Sequence, residues 1–238
     1  SVAVGTHALT SQNFTSATNT YNVAVGFEAG AAVTTGIENT LIGGLAGDAL
    51  TDADYNVALG SAALSSDTLG NRATALGTFA LFSQNFQSAT DNYNVAVGYA
   101  AGNVITTGTL NTLVGGLAGD AITTANQNTA VGYSALGLTT TGVQNVAIGD
   151  HSLDANTTAH YNTAVGSHSL GANTTGAGNS ALGKGSLGAN TTGENNVAVG
   201  ANALDANTTA ANNTAVGYSS LGANTTGERN TAVGSLAG

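Results

Sequence analysis

Residues 128–149 read NTAVGYSALGLTTTGVQNVAIG and contain one full 17-residue period of the chain. The motif at 128–132, Asn-Thr-Ala-Val-Gly, returns at 145–149 as Asn-Val-Ala-Ile-Gly. Outward from this stretch, motifs of the same kind close on Gly5, Gly26, Gly43, Gly60, Gly77, Gly98, Gly115, Gly132, Gly149, Gly166, Gly183, Gly200, Gly217 and Gly234. Eleven of the intervals equal that from Gly132 to Gly149. The other two, Gly5 to Gly26 and Gly77 to Gly98, are each longer by four positions. The long intervals carry SQNFTSAT (11–18) and SQNFQSAT (83–90), each read as an ordinary coil with a four-residue excursion. Segments 5–60 and 77–132 are near copies of one another. The reading is therefore one repeat domain over 1–238. Duplicated four-coil blocks fill 1–132, and regular coils fill 133–238.

A 17-residue unit cannot bury a core alone, but a stack of such units can. Each unit holds two short apolar stretches joined by a polar link of the ANTTGEN type. Neither stretch is long enough for a helix, and Gly and Asn disfavour one. Val, Ile and Thr favour strands. The expected fold is all-β: a parallel β-solenoid of about fourteen 17-residue coils. Stacking at about 4.8 Å per coil would give a rod of roughly 65 Å. The chain has no Pro, as a continuous backbone ladder requires. Ser1 and Gly238 fall within repeats, so neighbours, caps or self-association are expected to cover the sheet edges there.

Composition removes several function classes. Charged residues are 7% of the chain, against about 25% in an average globular protein. A net charge of −10 with three Lys+Arg argues against nucleic acid and against an anionic membrane surface. No apolar run is long enough to span a bilayer. The absence of Cys excludes a disulfide framework and thiolate chemistry.

Each position of the coil has a reading. The closing Gly suits a turn that needs positive φ or a close backbone approach. The first motif residue is Asn at 22, 39, 56, 94, 111, 128, 145, 162, 179, 196, 213 and 230, with Ala73 as the interruption. Asn22, Asn39, Asn56, Asn94, Asn111, Asn128, Asn145, Asn162, Asn179, Asn196, Asn213 and Asn230 are thus expected to form a structural amide ladder. The large aliphatic before each Gly, such as Val25 or Ile148, is expected to point into the coil. Strand alternation then turns the preceding Ala outward, as a stripe packed on another chain. The third residue after each Gly is Ala or Ser, as in Ala63 and Ser152, which fits a narrow turn.

The link carries paired threonines. Only one of each pair can face outward. Thr141, Thr158, Thr175, Thr192, Thr209 and Thr226 form the candidate Thr face, the surface an ice-binding solenoid would use. The alternative is a ladder of loop hydroxyls. The two excursions place Phe14 and Phe86 on protruding loops, with Phe82 preceding the second. These are candidate contact residues.

Other motifs do not hold. GKGSLG (183–188) matches a dinucleotide fingerprint without a βαβ unit around it. GGLAGD (43–48 and 115–120) resembles a calcium nonapeptide at the wrong period. IGDHSL (148–153) matches only one side of a hexapeptide acyltransferase coil. Asp48, Asp120, Asp154 and Asp205 share one coil position on non-adjacent coils, so they make no acid/base pair. His151 and His168 should stack on adjacent coils. With His160 they lack the carboxylate cluster expected around a metal. Asn-x-Thr sequons occur at Asn13, Asn156, Asn173, Asn190, Asn207, Asn212 and Asn224. No catalytic residues, metal or cofactor are expected.

The units at 128–149 and 213–234 (NTAVGYSSLGANTTGERNTAVG) resemble the repeats of phage tail-fibre-domain proteins and related bacterial surface proteins. The Asn-(Thr/Val)-Ala-(Val/Ile)-Gly unit is also similar to the head repeat of trimeric autotransporter adhesins. The resemblance implies a left-handed parallel β-roll, a trimer or filament, and display outside a cell or on a virion. It implies a structural or adhesive fibre segment without catalysis. Its partners would be further copies of the chain and a cell-surface receptor or glycan. An ice-binding solenoid is the alternative.

Overall fold

Fourteen three-residue strands end on the residue before a motif glycine, and parallel pairing repeats at the sequence period. The computed structural model describes all 238 residues, Ser1–Gly238. The chain is all-β, a parallel β-solenoid with no helix, and divides into two compact units, Ser1–Thr124 and Ala125–Gly238. In the first unit the coils are marked by β1 (Val2–Val4), β2 (Val23–Val25), β3 (Thr40–Ile42), β4 (Val57–Leu59), β6 (Thr74–Leu76), β8 (Val95–Val97) and β9 (Thr112–Val114). A short pair, β5 (Gly70–Asn71) and β7 (Thr90–Asp91), brackets the second excursion. The second unit holds β10 (Thr129–Val131), β11 (Val146–Ile148), β12 (Thr163–Val165), β13 (Ser180–Leu182), β14 (Val197–Val199), β15 (Thr214–Val216) and β16 (Thr231–Val233). Register follows the period: Ala147 pairs with Ala164, and Ala164 with Ala181.

The strand orientation expected from alternation is reversed. Ala130, Ala147, Ala164, Ala198 and Ala215 are fully buried. The aliphatics before the glycines face outward: Leu59, Ile148 and Leu182 are 46%, 40% and 51% exposed. The cause is volume. Most coils receive a Leu from the far side, the fourth residue after the motif glycine; Leu136, Leu153, Leu170, Leu187 and Leu204 are fully buried. A second large side chain does not fit against it, so the strand contributes Ala. The exceptions confirm the rule. Leu41 and Leu113 point inward from their strands and are fully buried. They occur where the opposing position is Gly30, Gly47, Gly102 or Gly119. A Cβ on Gly30 would lie 2.7 Å from Leu41 Cδ1, and one on Gly47 would lie 2.8 Å from Leu41 Cδ2. Leu at the equivalent site of other coils has the same positive φ, as in Leu136 (56°) and Leu153 (49°). Space, not backbone conformation, therefore demands these glycines.

The asparagine ladder forms as expected. The Asn179 backbone N–H donates to Asn162 Oδ1 (2.9 Å), and the Asn196 N–H donates to Asn179 Oδ1 (3.0 Å). The Asn179 side-chain amide donates to the Gly193 carbonyl (2.8 Å). A second ladder runs through the polar links. Asn156, Asn173, Asn190 and Asn207 are fully buried. Asn190 Nδ2 donates to Asn173 Oδ1 (2.9 Å), and Asn207 Nδ2 to Asn190 Oδ1 (2.9 Å). These four sequon asparagines are interior groups.

The second excursion repairs the break at Ala73. The Asn94 N–H, which would have bonded an asparagine at 73, donates to Asn92 Oδ1 instead (2.9 Å). Its side chain donates to Gln84 Oε1 (2.8 Å). Gln84 in turn donates to the fully buried Asp67 (2.7 Å). Asp67 also accepts from the Gly70 and Phe86 N–H groups (3.1 Å each). Asp67→Asn would point an amide at these donors. A loss of about 2–3 kcal/mol is expected from the groups left unpaired, read by chemical denaturation. Unchanged stability would show that Asp67 does not anchor the excursion.

Candidate functional site

The strand triplets present two residues outward, and neither row carries a charge. In the second unit the rows read Thr, Val, Thr, Ser, Val, Thr, Thr and Val, Ile, Val, Leu, Val, Val, Val. Seven strands at about 4.8 Å give each unit a face of about 29 Å by 10 Å. At about 290 Å² it matches the largest patch of an ordinary monomer, which is often functional.

The tyrosines border this face. All seven are exposed. Tyr21, Tyr55, Tyr93 and Tyr161 stand two residues before a strand, and Tyr99, Tyr133 and Tyr218 stand two residues after one. Tyr55, Tyr93 and Tyr161 hold positive φ, as do the residues that share their corner in other coils, such as Glu38 and Gln144. The coil thus turns sharply on either side of the strand and projects the rings at the margins. Aromatic rings and few charges are the composition of interface centres.

The margins also carry charged groups: Glu38, Arg72 and Arg229 share the column of Tyr55, and Asp150 and Lys184 that of Tyr133. The Arg72 guanidinium lies 4.6 Å from the Tyr55 ring centre and 5.9 Å from that of Tyr93. Its Nε donates to Asp91 Oδ2 at 3.0 Å. The hydrogen bond to Asp91 raises the Arg72 pKa above its ordinary value.

The expectation for Phe86 requires correction. Phe86 is buried; its N–H is held by Asp67 (3.1 Å). Phe14 and Phe82 are half-buried, and Phe82 packs edge-to-face on Phe79 (5.7 Å between centres). The excursion tip consists of Gln87, Ser88 and Ala89, which are exposed. An apolar ring beside a solenoid interior tucks inward, and the polar residues form the loop.

The threonines divide as alternation requires. Thr141, Thr158, Thr175, Thr192, Thr209 and Thr226 are all exposed. The first of each pair spends its hydroxyl on the next coil: Thr157 Oγ1 donates to the Thr174 carbonyl (3.2 Å), and Thr174 Oγ1 to that of Thr191 (3.0 Å). His151 and His168 stack, with ring centres 5.4 Å apart. His160 is separate from them: its Nδ1 accepts from the Val143 N–H (2.9 Å) and its ring lies by Tyr161. No group of three or more His, Asp or Glu converges as a metal site. No helix is long and apolar enough to cross a membrane.

The fold and its outward face define a class: parallel β-solenoids of 17-residue coils with an uncharged, tyrosine-bordered sheet. No protein-family model matches the chain, and no curated protein matches it significantly.

Proposed function

We propose that the chain is a non-catalytic structural and adhesive fibre segment, displayed outside a cell or on a virion, that assembles with further copies of itself through the outward sheet face. The observation that carries this reading is the outward Thr/Val/Ile/Leu face of each unit, whose two rows hold no charge and whose margins carry the seven tyrosines. Two copies share one coil spacing, so their rows match strand for strand along a unit. Lack of charge removes any penalty for like facing like, and the resemblance to trimeric repeats favours a trimer. The cross-coil ladders supply rigidity. Ile148→Lys together with Leu182→Lys places two ammonium groups in the face at exposed positions. These changes are expected to dissociate the assembly while leaving the melting of the coils within about 0.5 kcal/mol of wild type. Light scattering and circular dichroism read the two effects. An assembly that survives both lysines contradicts the interface.

One observation favours a second reading, ice binding. Thr141 to Thr226 form an unbroken column of exposed hydroxyls at a fixed 17-residue interval. Thermal hysteresis of the purified chain, lost on replacing Thr175 and Thr192 with Lys, would establish that reading. Its absence would remove it.

A further inference from the structure

The second unit carries a trough that the repeat itself does not require. Its floor and walls are two columns of residues on successive coils. One column holds His151, His168 and Gly185; the other holds Asp154, Gly171, Gly188 and Asp205. The volume is about 400 Å³. A second depression of about 320 Å³ continues past Asp205 along Asn202, Ser219 and Gly222. The trough exists because glycines occupy positions that bear side chains elsewhere. In the first unit the column of Asp154 and Gly171 reads Thr10, Ala31, Asp48, Ser65, Phe82, Asn103 and Asp120. Asp154 and Asp205 lie three coils apart, about 14 Å at the strand spacing.

The lining is chemically specific. Asp205 Oδ1 lies over Gly188, 3.0 Å from where a Cβ would stand, and this carboxylate takes no hydrogen bond from the protein. Asp154 leans out of the trough: its Oδ2 meets His151 Nδ1 (3.2 Å), and its Oδ1 lies over Gly137, beyond the trough's end. His151 is held between Tyr133 and His168, with both ring centres 5.4 Å away. The trough is thus straight, parallel to the coil stack and open along its length. It is lined by two imidazole rings, the free Asp205 carboxylate and no Lys or Arg. An anionic chain is disfavoured there. A carboxylate accepts two neighbouring hydroxyls at once, and the ring wall covers the apolar face of a sugar.

We infer that this trough binds a linear neutral polysaccharide chain laid along the coils, with Asp205 accepting sugar hydroxyls and the stacked His151 and His168 rings flanking the sugars. The inference deepens the adhesive reading by naming its partner class, and rests on that reading for its setting. The test is retention of the full chain on surfaces bearing linear β-1,4-glucan, β-1,4-N-acetylglucosamine polymer, β-1,4-mannan or α-1,4-glucan. Wild type is expected to be retained on at least one. Asp205→Asn, and separately Gly171→Phe, are expected to weaken that retention at least about tenfold. Neither should change the melting transition, because Phe82 already occupies the position of Gly171 in another coil. Retention on none of the four, or undiminished retention by both variants, overturns the proposal. A chain that self-assembles but retains no glycan overturns the trough and leaves the self-assembling fibre segment. A monomer that retains glycan through Asp205 overturns the self-assembly and leaves the trough.

Discussion

Gly166→Ala is expected to destabilise the second unit by about 4 kcal/mol or more. Gly166 has φ of 135°, a conformation that only glycine adopts freely. A Cβ there would lie 2.6 Å from both the carbonyl carbon and the oxygen of Gly183. The obstacle is backbone and cannot swing aside. Moving it would break the Gly166 N–H bond to the Ile148 carbonyl (2.7 Å) and the Gly183 N–H bond to that of Val165 (2.8 Å). Gly171→Ala is the control. Its φ is not positive, and other coils carry Asp, Thr or Phe at that site, so its cost should stay under about 1 kcal/mol. Chemical denaturation compares the two. Equal, small losses would show that the stack tolerates separation at the motif glycine.

Asn179→Ala should cost about 2–4 kcal/mol, mostly from a buried donor left unpaired. The substitution strands the Asn196 N–H, whose acceptor is Asn179 Oδ1. It also removes one of two amides on the Gly193 carbonyl, leaving only Asn190 Nδ2 (3.0 Å). Asn196 Nδ2 loses a contact at 3.2 Å. The chain contains a natural comparison. Ala73 occupies the same ladder position, but there Asn92 and Gln84 supply the missing acceptors. Asn179 has no such substitute, because its neighbouring coils keep the regular period and carry no excursion. A loss under about 1 kcal/mol in calorimetric or denaturant melting would contradict the ladder account.

Much of the architecture was legible because stacked coils convert a sequence period into a contact. The 17-residue spacing carried the parallel register, the Asn22-to-Asn230 ladder, the outward threonines and the stacked His151 and His168. The direction of the strands was not legible from alternation, since Thr-Ala-Val reads equally well with either face inward. The deciding signal lay across the coil: Leu41 and Leu113 occur opposite Gly30, Gly47, Gly102 and Gly119. A volume argument over the whole coil finds it. The second asparagine ladder was also written at the period, at Asn156 to Asn224, but the Asn-Thr-Thr link reads as loop. Asp67 and Gln84 stand 17 apart, so their bond was available to the same reasoning, and with it the burial of Phe86. The left-handed corners at residues such as Tyr161 and His168 carry no sequence signal. Each costs about 1–2 kcal/mol in a non-glycine residue, and cross-coil bonds such as His168 N–H to the Asp150 carbonyl (3.0 Å) hold them.

The tyrosine borders became visible only once the outward face was known. They shift the proposed interface from an alanine stripe to the large aliphatics, and that shift carries the functional proposal. The most direct test is the solution mass of the purified 238-residue chain, by light scattering coupled to size exclusion. The account predicts a stable trimer or a larger assembly, a multiple of the 23.0 kDa chain. A monodisperse species of 23.0 kDa at micromolar concentration would contradict it.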